Sequence, residues 1–261
     1  MKGVKMKTDN ILTLKIQQAL NQGRSALIPF VPAGFPDKDT FRETIMELDR
    51  SGADIIEIGV PFSDPVADGP VVEKASIRCL EQGVNLTWII EKLKSYRTRI
   101  KAGIVLMGYF NPFLQYGLER LASEADLAGV NGLIIPDLIF EEAEPYLDTF
   151  EQGNLSLVPL VGLNTPRERM QKYAGLNPAF VYLVSVLGIT GTRLDADGLL
   201  KNKLAEVREV FACPAALGFG LSSREQLKPL AGQVDAVVFG SALIRHLEEG
   251  KKAGEFMAAW V

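Results

Sequence analysis

The sequence predicts a single (β/α)₈ barrel, and three observations point there: eight short apolar runs recur along the chain, stretches of helical periodicity separate them, and the runs are apolar almost throughout instead of alternating. A strand buried on both faces of a parallel sheet reads this way. Eight such strands with crossover helices close naturally into a barrel. No linker, charge run or low-complexity tract divides the 261 residues, so residues 1–261 read as one domain. The rival is an open, doubly wound sheet, but no Gly-x-Gly-x-x-Gly turn follows the first run.

Ahead of the first strand, ILTLKIQQALNQG predicts an extra helix that closes the bottom of the barrel. The strands follow as SALIPFV, ADIIEIGV, GIVLMGY, GLIIPD, LSLVPLV, FVYLVS, PAALGFG and AVVFGSA. Between them, DTFRETIMELDRSG, GLERLASEADLAG, RERMQKYAGL and SREQLKPLAGQ place apolar residues at i, i+3 and i+4 with a glycine near the end, the pattern of amphipathic helices.

With 47% hydrophobic and 23% charged residues the composition is that of an ordinary globular protein. A formal net charge of -4 leaves no basic footprint for nucleic acid or an anionic membrane. No apolar run reaches the roughly 18–20 residues that span a bilayer, and MKGVKMKTDN lacks the apolar core of a signal peptide. A cytoplasmic protein with reduced Cys79 and Cys213 is expected. His246 is the only histidine, and neither cysteine sits at metal-ligand spacing, so no protein metal site is expected. Acid/base chemistry near neutral pH then falls to carboxylates, Tyr, Lys or Cys.

In a barrel such groups lie at the C-terminal strand ends and in the loops after them. Glu57 interrupts the apolar run ADIIEIGV, so its carboxyl either enters the barrel mouth or meets a structural cation. The next loop, PFSDPVADGP, holds three prolines, a glycine and two aspartates. That is the chemistry of a long, stiff loop, and either aspartate also suits a helix cap. Asp68 is placed to fold back toward Glu57, and burial of one carboxyl would separate the two in pKa and divide acid and base roles. Late in the chain LGITGTR, GFGLSS and FGSALI bring glycine turns to the last three strands, where backbone N–H groups and helix starts form the phosphate cradle usual in barrels. Phe30, Tyr109 and Tyr182 fit an aromatic pocket there, and equally ordinary core packing. His246, in ALIRHLEEG, is assigned no chemistry.

The string EIGVPFSDPVADGP closely resembles the signature of the tryptophan synthase alpha subunit family. IPFVPAGFP, MGYFNP, PDL, YLVSVLGITGTR, GFGLSS and FGSALI follow in that family's order, nearly from end to end. The resemblance implies a (β/α)₈ barrel that cleaves indole-3-glycerol phosphate to indole and glyceraldehyde 3-phosphate, a carbon–carbon cleavage catalogued under the carbon-oxygen lyases as part of tryptophan synthase. It implies Glu57 and Asp68 as the catalytic acids and Tyr182 as the tyrosine near the reacting centre. Thr190, Gly191, Gly220, Gly240 and Ser241 would sit at the phosphate. It also implies a pyridoxal-phosphate beta subunit that receives the indole in an alpha2beta2 tetramer and is touched by Pro61, Ser63, Asp64 and Asn111, with no cofactor in this chain. Ile139, where many relatives have proline after PDL, and Val186, an arginine in some, depart from the pattern and bear on pocket shape and loop dynamics. Other readings are a stand-alone lyase that releases free indole, a mainly structural or activating subunit, and a different phosphate-binding barrel such as a sugar-phosphate isomerase; the last has no use for the VPFSDPVADGP loop.

Overall fold

The computed structural model describes residues 10–184, 198–218, 221, 223–230 and 232–261. Among the described residues nine strands run parallel: β1 (Ala26–Pro32), β2 (Ile55–Gly59), β3 (Gly103–Met107), β4 (Gly132–Ile134), β5 (Ser156–Leu157), β6 (Leu160–Gly162), β7 (Val181–Val184), β8 (Ala215–Gly218) and β9 (Ala236–Phe239). Their order is β5-β4-β3-β2-β1-β9-β8-β7-β6, so the first strand pairs with the second on one side and with the last on the other. The two ends of that order, β5 and β6, are separated in the chain only by Val158 and Pro159.

These two segments are the single run LSLVPLV, divided. Pro159 has no N–H to give, so the ladder loses a rung there. The carbonyl of Pro159 still accepts from the Tyr182 amide at 3.0 Å, and the Val158 amide donates to Leu133 at 2.9 Å. Eight barrel positions therefore close around nine strand segments.

The helices are α1 (Ile11–Asn21), α2 (Phe41–Arg50), α3 (Pro70–Glu81), α4 (Leu86–Tyr96), α5 (Phe110–Tyr116), α6 (Leu118–Ala128), α7 (Phe140–Ala143), α8 (Leu147–Gln152), α9 (Arg167–Ala174), α10 (Leu199–Val210), α11 (Ser241–Glu248) and α12 (Ala253–Met257). Among the described residues no helix is long and apolar enough to cross a membrane. SREQLKPLAGQ departs from expectation, because Arg224–Leu230 is a 3-10 helix and not an α-helix.

Two apolar regions divide the interior. One lies between strands and helices and includes Leu27, Val31, Ile58, Leu106, Leu133 and Leu183. The other fills the barrel and includes Ile28, Ile55, Val105, Ile134, Tyr182, Ala216 and Val238. Alternate residues thus face opposite ways along each strand, as the pleat requires. α1 lies across the N-terminal end of the barrel as predicted. Its Leu12, Ile16 and Ala19 are fully buried against the barrel interior, and the Thr13 hydroxyl donates to the Ala179 carbonyl at 2.8 Å. A Cβ at Gly103 or Gly132 would come within 2.8 or 2.9 Å of Leu12, so glycine at the start of β3 and β4 leaves room for the plug.

Candidate active site

With the N-terminal end sealed, the C-terminal strand ends are the open face. β2 sets Glu57 in register with Phe30 of β1 and Val105 of β3, on the inward side. Glu57 is only 3% exposed, and its Oε2 has no hydrogen-bond partner among the described residues. No described cation pairs with it. An uncompensated buried carboxylate is costly, so the group resists ionisation. Burial first, and the Asp68 charge second, push its pKa up to about 8.

Asp68 arrives from the loop between β2 and α3. The Asp68 amide donates to the Pro65 carbonyl at 3.0 Å, folding the loop back on itself. Neither aspartate of the loop caps α3, whose N-cap is Gly69 with Pro70 as the first helical residue and no side-chain cap bond. Asp68 is instead held by Tyr109, whose hydroxyl accepts from the Ala67 amide at 2.9 Å and donates to the Asp68 carboxylate. Burial raises the Asp68 pKa to about 6, the Tyr109 hydrogen bond works against that rise, and Glu73 adds to it. The exposed tip of the loop is Val66.

Tyr109 is therefore tied to the loop. It is 2% exposed and stacks on Phe62 with ring centroids 5.2 Å apart, while Asp137 after β4 fixes the start of α5 by accepting from the Phe110 amide at 2.8 Å. Sequence reasoning did not single out Asp137. Its signal was an acidic residue directly after an apolar run in GLIIPD.

Tyr182 projects inward from β7, level with Leu160 and Ala216. Burial, then the charges of Glu57 and Asp68, raise its hydroxyl well above the ordinary value, so this phenol lies in the field of both carboxyls. A Cβ at Gly218 would collide with the Tyr182 ring and hydroxyl. Phe30 has the same relation to two glycines, since a Cβ at either Gly59 or Gly240 would come within 2.7 Å of its ring. Gly59 and Gly218 are further residues the sequence did not single out; a glycine closing an apolar run was their signal.

Gly240 is the N-cap of α11 and Ser241 its first residue, so free backbone amides face the C-terminal end of β9. Thr190, Gly191 and Gly220, like Val186, lie outside the described residues. Ile139 is about half exposed at the N-cap of α7. His246, on α11, meets the Lys252 carbonyl at 2.9 Å through Nε2 and packs edge-on against Phe256, away from the mouth.

Pro61, Ser63 and Asn111 come together in a groove of about 460 Å³ between the Asp68 loop and α5. Asp64 joins it at one remove, accepting from the Ser63 hydroxyl.

Comparison with known proteins agrees with this geometry. The family described as tryptophan synthase alpha chain matches residues 16–259. The chain is 55% identical over 246 residues to the tryptophan synthase alpha chain of Maridesulfovibrio salexigens, covering 94% of this chain and 96% of that one. It is 54% identical over 253 residues to the alpha chain of Solidesulfovibrio magneticus, covering 97% and 99%. A solved structure of Mycobacterium tuberculosis tryptophan synthase superposes with a TM-score of 0.85 at 33% identity, over 95% of this chain and 94% of that chain. The chain belongs to the tryptophan synthase alpha chain family, and is thus a lyase subunit of tryptophan biosynthesis that pairs with a beta subunit.

Proposed function

We propose that this chain performs the retro-aldol cleavage of indole-3-glycerol phosphate to indole and glyceraldehyde 3-phosphate, with Glu57 as proton shuttle and Asp68 as its electrostatic partner. The observation that carries the reading is the buried, unpaired Glu57 carboxyl, raised to about 8, sharing the barrel mouth with Asp68 at about 6. Near neutral pH the first is mostly protonated and the second mostly ionised. The environment thus separates an acid from a base.

The chemical difficulty is that an indole ring leaves poorly as a carbanion. Protonated Glu57 gives its proton to C3 of the ring, which makes the ring an electron sink. The resulting carboxylate takes the proton of the side-chain hydroxyl as the carbon–carbon bond breaks and the aldehyde forms. The ionised Asp68 accepts the indole N–H and stabilises the positive charge that develops there. Phe30 and Tyr182 orient the ring and exclude water, and Tyr109 holds Asp68 in place. The amides at Gly240 and Ser241 receive the phosphate, with Thr190, Gly191 and Gly220 completing the cradle. The cleavage needs no cofactor here.

Indole then passes to the partner, where pyridoxal phosphate serves the second half-reaction, catalogued with the first as a carbon-oxygen lyase. Pro61, Ser63, Asp64 and Asn111 contact the beta subunit in an alpha2beta2 tetramer, in the cytoplasm. The groove that gathers Pro61, Ser63 and Asn111 supports this placement.

Glu57→Gln and Asp68→Asn each keep the fold and lose about 10²-fold or more in indole release, the usual scale for an acid/base group. Near-normal turnover by either variant removes its role. At the other end of the substrate, an indole-glycerol analogue without phosphate should bind far more weakly in a calorimetric titration. Equal affinity removes the cradle.

A further inference from the structure

A second cavity, of about 410 Å³, lies on the outer wall of the barrel between α2 and α4. Four cations line it, Lys38, Arg42, Lys92 and Arg99, against one carboxylate, Asp39. A local excess of three positive charges is unexpected on a chain of net charge -4.

The neighbours make the contrast sharper. Arg50 on α2 pairs with Glu43, and Lys94 on α4 pairs with Glu124. Arg42, Lys92 and Arg99, on or just beyond the same two helices but lining the cavity, form no side-chain hydrogen bond or ion pair among the described residues. The Lys38 ammonium donates only to a backbone carbonyl, that of Gln82, at 3.2 Å. Unpaired like charges gathered round a hollow repel one another, and a bound anion relieves that repulsion.

The floor is closed by Tyr96. Tyr96 lines the cavity at 2% exposure, and its hydroxyl oxygen is buried with no hydrogen-bond partner among the described residues. Arg42 is the charge that bears most on that phenol. A buried donor without an acceptor is destabilising.

We propose that this cavity is a binding site for a compact polyanion, of the class formed by the linked phosphoryl groups of a di- or triphosphate. Two guanidinium groups match phosphoryl oxygens in fork geometry, and two ammonium groups supply point charge. The volume equals that of on the order of a dozen waters at about 30 Å³ each, enough for two or three phosphoryl groups. Trp88 carries two ammonium groups over its ring. Lys38 and Lys92 lie 5.3 and 5.8 Å from its ring centroid, and the indole gathers these two ammoniums toward the ligand. The site reads phosphoryl groups and not a base.

The test is a calorimetric titration of the full chain with inorganic tripolyphosphate, with glycerol 3-phosphate saturating the barrel mouth. One tripolyphosphate per chain is expected, with affinity falling as salt is raised. The double variant Arg42→Gln/Arg99→Gln should bind at least tenfold more weakly, given the strength of charge-assisted contacts. Lys201→Gln/Lys252→Gln, which removes two exposed charges elsewhere, should bind as the parent does. Three results overturn the proposal: no binding at millimolar tripolyphosphate, equal weakening by the control pair, or heat that vanishes once glycerol 3-phosphate is present. ATP binding tenfold tighter than tripolyphosphate overturns the phosphoryl-only recognition. Should the double variant fail to fold, acetylation of Lys38 and Lys92 on the unaltered chain decides: protection by tripolyphosphate supports the site, and unchanged labelling overturns it.

Discussion

Glu57 shows how one residue sets both activity and stability. Its pKa rises from 4.5 to about 8 on folding, because folding buries it. The folded state therefore holds its proton more tightly than the unfolded chain does. Its contribution to stability is fully present below pH 4.5 and is lost as pH rises through 8, at about 1.4 kcal/mol per pH unit between those values. Glu57→Gln, which cannot ionise, should thus be inactive yet more stable than the parent at pH 8–9, by roughly 2–4 kcal/mol in urea titrations. Equal stability there would show that Glu57 is not uncompensated. The same pair of values predicts a bell-shaped profile of kcat/KM, with an acid limb near 6 from Asp68 and a basic limb near 8 from Glu57. Tyr109 adjusts the first limb. Its hydrogen bond holds the Asp68 pKa down, so Tyr109→Phe should move the acid limb to higher pH while the basic limb stays. A limb that does not move means that Asp68 does not titrate in catalysis.

Among elements, the seam between β1 and β9 is where packing meets the site. Gly240 gives way to the Phe30 ring, and an added methyl would sit 2.7 Å from it. Gly240→Ala should cost about 1–3 kcal/mol by overpacking, and Gly240→Ala/Phe30→Leu should recover most of that loss in a denaturant titration. Additive losses would mean the strain lies in the backbone turn instead. This contact also marks what sequence can and cannot convey. Glu57 was readable because a charge inside an apolar strand breaks a local pattern. Gly59, Gly218 and Gly240 clear space for rings on neighbouring strands, and no local periodicity records that. The Tyr109 bridge to Ala67 and Asp68 spans about forty residues of chain and was invisible for the same reason. Proline was the other source of error. Pro159 divided a strand through a missing N–H that apolar patterning does not weigh.

Taken whole, the barrel repeats one rule: inward positions alternate along every strand, so eight-fold closure and the N-terminal plug followed from periodicity alone. Leu12, fully buried beneath β3 and β4, should lose about 2–5 kcal/mol on Leu12→Ala while kcat of the folded fraction stays unchanged. A change in kcat would mean that the plug reaches the mouth. Its distance from the carboxyls has a wider consequence for how this protein tolerates variation. The plug and the mouth occupy opposite ends of one axis, so substitutions that reduce yield and substitutions that reduce turnover should separate into two caps in a deep mutational scan. A lineage could then drift in thermal tolerance through one cap and in substrate through the other, with little trade between them.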